Sequence, residues 1–286
     1  MNALSLLKFI PIAITIPSIA IGALAMYRNH VSIAIWSQNI ACLVLMSFVS
    51  LIMANHKFNV NKSKYKKFVL PAALGLLILT FASQGIAGVH RWISIGAVKL
   101  NIAMIILPII LIELWNVLKT KGLNLGFAIA FVILLVLFFQ PDASQLTGFA
   151  VPMMIMLSRN TNSKVISFLI ISAFSLFVVF SWIYLDNLPP VNYVERILNM
   201  VANMGFAWLI LGVISLVILP IPFLLFPPKN TESISKYIGC YYIIIILSTL
   251  FGNFPVPLMG YGISPIIGFY ISLMWYLHSK YVKNEV

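Results

Sequence analysis

Residues 165–184 read VISFLIISAFSLFVVFSWIY, a run of twenty residues that contains no charged side chain. A helix of about 20 apolar residues is long enough to cross the hydrocarbon core of a bilayer. Inside that core every backbone N–H and C=O must find a partner within the protein, and a helix satisfies this condition by itself. The run therefore predicts a transmembrane helix that is surrounded by lipid.

The rest of the sequence repeats this pattern and predicts an all-α fold. We expect a polytopic membrane bundle of about ten transmembrane helices that forms a single integral membrane domain over residues 1–286. The fifth and sixth segments are short, so a hairpin that enters the membrane without crossing it is an alternative for them. The predicted segments are 9–27, 31–55, 68–84, 102–118, 123–140, 143–158, 165–184, 204–226, 237–254 and 265–279.

Composition excludes several classes of protein. Hydrophobic residues make up 62% of the 286 residues, charged residues only 8%, and the mean hydropathy is +1.04. A soluble domain needs roughly a quarter of its residues charged, so a soluble enzyme, a disulfide-rich secreted scaffold and a disordered chain are excluded. The two cysteines, Cys42 and Cys240, lie in apolar segments without metal-ligand spacing, and we predict neither a metal site nor a cofactor.

The positive charges predict the orientation of the chain. With the amino terminus inside, fourteen of the eighteen Lys and Arg residues fall on the inner side, so the positive-inside rule places both termini in the cytoplasm. The net charge of +12 is therefore a topology signal, and we predict no nucleic-acid partner. The cluster Lys62, Lys64, Lys66 and Lys67 is predicted to attract anionic lipid headgroups. For residues 10–26 we favour a first spanning helix over a cleaved signal peptide.

Three stretches on the predicted outer side resemble motifs of one family. They are Pro255-Val256-Pro257-Leu258-Met259-Gly260-Tyr261-Gly262-Ile263-Ser264, Arg91-Trp92-Ile93-Ser94-Ile95-Gly96, and Gln140-Pro141-Asp142. They resemble, in this order, the P-L-P-L-x-S-Y-G-G-S, R-W-I/L-x-L-G and Q-P-D motifs of the FtsW/RodA/SpoVE (SEDS) family. The resemblance runs over about residues 68–279 and implies a ten-helix protein of the bacterial cytoplasmic membrane.

The resemblance also implies a function. The family polymerises peptidoglycan glycan strands from lipid II at the outer face of the cytoplasmic membrane, usually with a class B penicillin-binding transpeptidase, in cell division or cell shape. We expect the same role here. One alternative is a catalytically silent relative that binds a polyprenyl-linked saccharide or a partner transpeptidase. A further alternative is a transporter of lipid-linked precursors.

The sequence departs from the family where catalysis is expected. Residues 188–205 align without a gap with the family's L-P-E-x-H-T-D-F and E-E-x-G motifs, but the catalytic aspartate position is Val194. The paired acids become Ala202 and Asn203, and Leu107 replaces a lysine of the fourth helix. Glu195, one residue after Val194, is the candidate general base. The alternatives for Glu195 are an acid in a helix first turn or a partner of Arg196.

We predict that five further residues bind the substrate. Arg91 and Lys99 are placed to grip an anionic headgroup, and the alternative is an interfacial role beside Trp92. Asp142 is expected to cap the sixth helix, which is compatible with substrate contact. Tyr261 and Ser264 lie in a Pro- and Gly-rich interruption that predicts a re-entrant loop beside a polar cavity, with a plain turn as the alternative.

Overall fold

A computed structural model describes residues 9–55, 66–96, 98–185 and 188–282. Part of the predicted basic cluster, Lys62 and Lys64, and the predicted outer acid Asp186 lie outside the described residues. In chain order the elements are α1 (Thr15–Arg28), α2 (Ile33–Asn55), α3 (Lys66–Leu79), β1 (Trp92–Ile95), β2 (Val98–Asn101), α4 (Ile102–Lys121), α5 (Leu123–Phe139), α6 (Ala143–Ser158), α7 (Lys164–Ile183), α8 (Ile197–Asn203), α9 (Phe206–Val217), α10 (Ile221–Leu225), α11 (Glu232–Ser248) and α12 (Ile263–Leu277).

The helices have the length and composition of a membrane protein. Among the described residues, four helical stretches are long and apolar enough to cross a bilayer, namely Phe9–Arg28, Ile33–Met53, Ile102–Lys121 and Lys164–Ile183. Four shorter apolar helices accompany them. Helix α7 leaves large apolar side chains such as Phe168 and Leu169 exposed, at 69% and 60%. Such a surface is stable when lipid rather than water surrounds it.

Helices occupy all ten predicted segments, although several of the predicted bounds are wrong. The segment predicted over 204–226 is broken, because α9 ends at Val217 and α10 begins only at Ile221, just after Pro220. Proline has no N–H and starts a helix well but interrupts one. The segment predicted over 237–254 begins five residues earlier, at Glu232, where a carboxylate in the first turn favours the helix dipole.

A β-hairpin is the one departure from the all-α prediction among the described residues. β1 and β2 pair antiparallel, with Trp92 opposite Asn101 and Ser94 opposite Lys99. Because side chains alternate along a strand, these four residues share one face, and the isoleucines and other apolar residues share the opposite face. The hairpin is therefore amphipathic.

The chain divides into two compact units, Met1–Phe58 with Pro189–Val286, and Asn59–Leu188. The first unit contains α1, α2 and α8–α12, and the second contains α3–α7 with the hairpin. Both units consist mainly of apolar helices. That the two units form a single membrane domain over residues 1–286 stays a prediction.

Buried hydroxyl groups join the helices of the first unit. The Thr15 Oγ1 on α1 and the Ser47 Oγ on α2 lie 2.8 and 2.7 Å from the Tyr270 Oη on α12. The Ser18 Oγ of α1 donates to the backbone carbonyl of Ser215 on α9, at 2.8 Å. Small hydroxyl residues allow close helix packing in lipid and supply polar contacts between helices. These contacts fix the helices that carry the candidate site.

Candidate functional site

The loop of residues 249–262, which we call the carboxy-terminal loop, connects α11 to α12, and its residues 254–260 are mostly buried in the first unit. Phe254, Val256, Leu258 and Met259 are all at most 2% exposed. The Met259 N–H donates to the Pro257 carbonyl at 2.8 Å across Leu258, which has a φ of 63°. This is a γ-turn in the left-handed region, which is rare and strained for a leucine. Strained backbone persists only where the surrounding structure holds it in place, so the packing around Leu258 must fix the conformation of this loop.

Asn39 of α2 holds the end of this loop. Its Nδ2 donates to the Gly260 carbonyl at 2.9 Å, and its Oδ1 accepts from the Gly262 N–H at 3.1 Å. The side chain is only 1% exposed. Non-helical backbone needs such partners when it is shielded from water. Asn39 thus satisfies two backbone groups just before α12 begins.

The carboxy-terminal loop packs on the turn formed by residues 191–195. The Val256 N–H donates to the Val194 carbonyl at 3.3 Å, and the Tyr261 N–H donates to the Tyr193 carbonyl at 2.8 Å. A Cβ at Gly260 would lie 2.4 Å from the Val194 carbonyl oxygen. This approach is possible only for glycine. Val194, which the resemblance aligns with a catalytic aspartate, therefore contacts the family-like loop through its backbone.

The two predicted binding residues of the loop have different surroundings. The Tyr261 Oη donates to the Gln38 Oε1 at 3.2 Å, and the Tyr261 ring lies edge-on to Tyr193 at 6.0 Å between centroids. Ser264 lies in the first turn of α12 and is 3% exposed. Tyr261 thus remains partly accessible, while Ser264 is packed in the helix start.

Glu195, the candidate base, is bound to the turn that precedes it. Its Oε2 accepts from the Val191 N–H at 2.7 Å. Helix α8 begins at Ile197 with Arg196 as its N-cap residue, so Glu195 lies before the helix and not in its first turn. The carboxylate supports the 191–195 turn, and its role as a base stays a prediction.

A polar cavity, which we call the asparagine cavity, opens beside the same turn. Its volume is about 350 Å³. The lining residues include four amides, one guanidinium and one phenol, but no acidic residue of the described chain. Amides both donate and accept hydrogen bonds, as sugar hydroxyls require, and a guanidinium binds phosphate with two parallel hydrogen bonds. The lining residues are Asn29, Val31, Asn192, Tyr193, Arg196, Asn199, Met200 and Asn203.

In the second unit, the structure brings Arg91 and Asp142 together. The Arg91 Nε lies 3.4 Å from the Asp142 Oδ2, and the guanidinium also donates to the Pro141 carbonyl. The Asn101 Nδ2 donates to the same Oδ2 at 3.4 Å. The side chains of Arg91 and Asp142 are 5% and 2% exposed. We call this cluster the hairpin corner, because it joins β1 and β2 to the start of α6.

The predicted N-cap of Asp142 is confirmed. Its Oδ1 accepts from the Gln145 N–H at 3.1 Å in the first turn of α6. Asn101 caps α4 in the same manner, by accepting from the Met104 N–H at 3.2 Å. Both caps satisfy backbone donors that a helix start leaves open. Asp142 therefore caps α6 and pairs with Arg91. Its contact with substrate stays a prediction.

Lys99 lies apart from this cluster on the polar face of the hairpin. Its side chain is exposed and borders a cavity of about 300 Å³ together with Ser83, Gln84, Trp92 and Ser94. The ammonium group is thus accessible to an anion, unlike the buried guanidinium of Arg91. Substrate binding by Lys99 stays a prediction.

The comparisons with known proteins identify the fold. Neither a protein-family model nor a curated protein matches the chain. Solved structures do match, among them two crystal structures. One is an aspartate-to-alanine variant of the rod shape determining protein RodA of Thermus thermophilus, with a TM-score of 0.72, 13% identity, and coverage of 95% of this chain and 96% of that chain. The other is that RodA without the substitution, with a TM-score of 0.71, 14% identity and the same coverage.

The chain has the fold of RodA. At 13–14% identity this likeness is evidence about fold. It confirms the polytopic helical membrane fold that the sequence predicted. The match spans nearly the whole of both RodA chains.

Sequence reasoning missed several residues of the site. Asn199 and Asn203 are four residues apart on α8 and so lie on one helix face, a signal that was readable in the sequence. Asn39 carried no such signal, because its partners are 221 and 223 residues away. Within the described ranges, no group of three His, Cys, Asp or Glu side chains is arranged to hold a metal ion.

Proposed function

We propose that this chain is a RodA-like membrane protein of bacterial cell-wall synthesis that binds a polyprenyl-linked saccharide such as lipid II. The headgroup lies in the asparagine cavity at the outer face of the cytoplasmic membrane, and the polyprenyl tail lies in the surrounding lipid. The RodA fold over 95% of the chain and the motifs of the hairpin corner and carboxy-terminal loop support a role in cell-wall synthesis.

The chemistry of the asparagine cavity carries this proposal. Asn29, Asn192, Asn199 and Asn203 offer amides to sugar hydroxyls, and Arg196 offers a guanidinium to the pyrophosphate. Tyr193 adds an aromatic face on which a sugar ring packs. A neutral-to-positive cavity of this kind attracts an anionic saccharide headgroup.

The same cavity favours binding over catalysis. Glycosyl transfer needs a base that accepts the proton of the attacking hydroxyl. The described residues that line the cavity include no carboxylate, and Glu195 is engaged with the Val191 N–H. We therefore place the silent relative ahead of the polymerase.

Glycan polymerisation is the second candidate, and the position of Glu195 supports it. Glu195 lies between Tyr193 and Arg196 in the chain, and both of these line the cavity. In this candidate the side chain of Glu195 rotates away from the Val191 N–H toward the substrate. In that case Glu195 takes the hydroxyl proton, the hydroxyl oxygen bonds to the donor sugar carbon, and the pyrophosphate leaves toward Arg196.

A binding experiment tests the proposed function. The purified protein in nanodiscs is titrated with fluorescent lipid II. Arg196→Gln is expected to weaken binding about tenfold, because a charge-assisted contact to phosphate is worth roughly 1.5–3 kcal/mol. Arg28→Gln is the matched control, because Arg28 is an exposed arginine packed on Trp208 that does not line the cavity. Equal affinity of the wild type and Arg196→Gln would remove the cavity from the proposal.

A product assay separates the candidates. Labelled lipid II is incubated with the protein, with and without a class B penicillin-binding transpeptidase, and the products are resolved on a gel. We expect no glycan ladder. A ladder that disappears in Glu195→Ala but persists in Asp186→Ala would establish the polymerase instead. Movement of labelled precursor across proteoliposomes would establish the transporter.

A further inference from the structure

An apolar groove on the first unit lies away from the asparagine cavity and has no role in the proposed function. Its volume is about 360 Å³. One wall comes from the start of the described chain, with Ile10 and Ile14, and the other from the break between α9 and α10, with Ile218 and Ile221. We call it the isoleucine groove. Its apolar lining has the chemistry of a site for a hydrocarbon chain.

Among the described residues that line this groove, Lys280 is the one cation. Its Nζ donates to the Phe226 carbonyl at 2.9 Å and to the Tyr276 Oη at 2.7 Å. The ammonium also lies 5.2 Å from the Tyr276 ring centroid and 5.6 Å from that of Phe226. These contacts hold a normally mobile side chain in one place beside the apolar walls.

The helix changes its winding at the same point. After α12 ends at Leu277, residues His278–Val282 form a π-helical turn that carries Lys280. Single π-turns are rare and occur frequently at functional sites. Lys280 is the third residue of this turn, so the π-helical winding determines where its side chain leaves the backbone.

We infer that the isoleucine groove binds an anionic phospholipid, with one acyl chain between the isoleucine walls and the headgroup phosphate on Lys280. The positive-inside rule predicts that this end of the chain faces the cytoplasm, where anionic lipids concentrate. A phospholipid combines the two properties of the site, a long apolar chain and a negative charge at its end. A zwitterionic lipid offers the chain but no net charge to complement Lys280.

Native mass spectrometry of the purified protein tests this inference. The protein is mixed with equal amounts of phosphatidylglycerol and phosphatidylcholine of the same chain length. We expect the wild type to retain one phosphatidylglycerol with a preference of about fivefold, the ratio for one lysine near an anionic surface. Lys280→Gln is expected to lose that preference. Lys236→Gln is the matched control, because Lys236 is exposed and paired with Glu232.

A second variant covers the outcome in which Lys280→Gln fails to fold. Ile221→Trp fills the groove and leaves Lys280 in place, so it is expected to lower the retention of both lipids at least severalfold. An unchanged phosphatidylglycerol preference in Lys280→Gln, or undiminished retention in Ile221→Trp, would overturn the inference. Displacement of phosphatidylglycerol by an equal amount of polyprenyl phosphate would also overturn it, because the occupant would then be a carrier lipid.

Discussion

In the hairpin corner, Arg91 and Asp142 are 4% and 2% exposed and face each other, whereas in the asparagine cavity Arg196 is exposed among four asparagines. Residues of both regions lie in stretches that align with motifs of the SEDS family. In the hairpin corner the charged side chains join the hairpin to the start of α6. In the asparagine cavity the polar side chains line an accessible space. The comparison teaches that a residue of a retained motif can serve packing, while the exposed polar groups lie where the family motif is not kept.

The largest expected effect is on the hairpin corner. Asp142→Ala leaves the buried Arg91 without its carboxylate and removes the cap of α6, and we expect a loss of about 3–5 kcal/mol in the free energy of unfolding. A thermal or denaturant titration of the protein in detergent measures this loss. Asp142→Asn keeps a capping group and is expected to lose less. A loss below about 1 kcal/mol in Asp142→Ala would show that the ion pair is not structural.

A smaller effect is expected where the carboxy-terminal loop packs on Val194. Gly260→Ala places a Cβ 2.4 Å from the Val194 carbonyl oxygen, and this backbone must move. We expect a loss of about 1–3 kcal/mol in the free energy of unfolding, together with weaker lipid II binding.

Gly75→Ala is the control for this substitution. Gly75 lies in α3, and beyond the neighbouring backbone of its own helix no described atom comes within 4 Å of its added Cβ, so the change is expected to stabilise the protein by up to about 1 kcal/mol. Equal stability of Gly260→Ala and the wild type would contradict the close packing of the loop on the turn.

The smallest effect on stability is expected in the asparagine cavity. Arg196 is exposed, so Arg196→Gln is expected to change the free energy of unfolding by at most about 0.5 kcal/mol. The same detergent titration measures it beside Asp142→Ala. A destabilisation comparable to that of Asp142→Ala would remove the contrast between the two regions.

Local features of this fold were predictable from the sequence. The ten helical segments follow from apolar runs, and the cap of α6 follows from Asp142 standing three residues before Gln145. The hairpin was predictable in principle, because Trp92-Ile93-Ser94-Ile95 alternates with the period of a strand. A search for long apolar runs passes over such four-residue strands.

Contacts between distant parts of the chain were not predictable. Arg91 pairs with Asp142 51 positions later, and Asn39 binds the loop end more than 220 positions later. A single sequence contains no signal for such pairs, because each residue alone is also compatible with exposure. For the same reason the burial of Arg91 and the gathering of four asparagines around one cavity do not follow from the sequence.

Cysteine protection is the most direct test of the central claim that the asparagine cavity holds the saccharide headgroup. Asn199→Cys is made with Cys42 and Cys240 replaced by serine, and the purified protein is labelled with a maleimide in the presence and absence of lipid II. We predict that lipid II slows labelling at position 199 severalfold and leaves an exposed Lys121→Cys control unchanged. Equal labelling of Asn199→Cys with and without saturating lipid II would contradict the account.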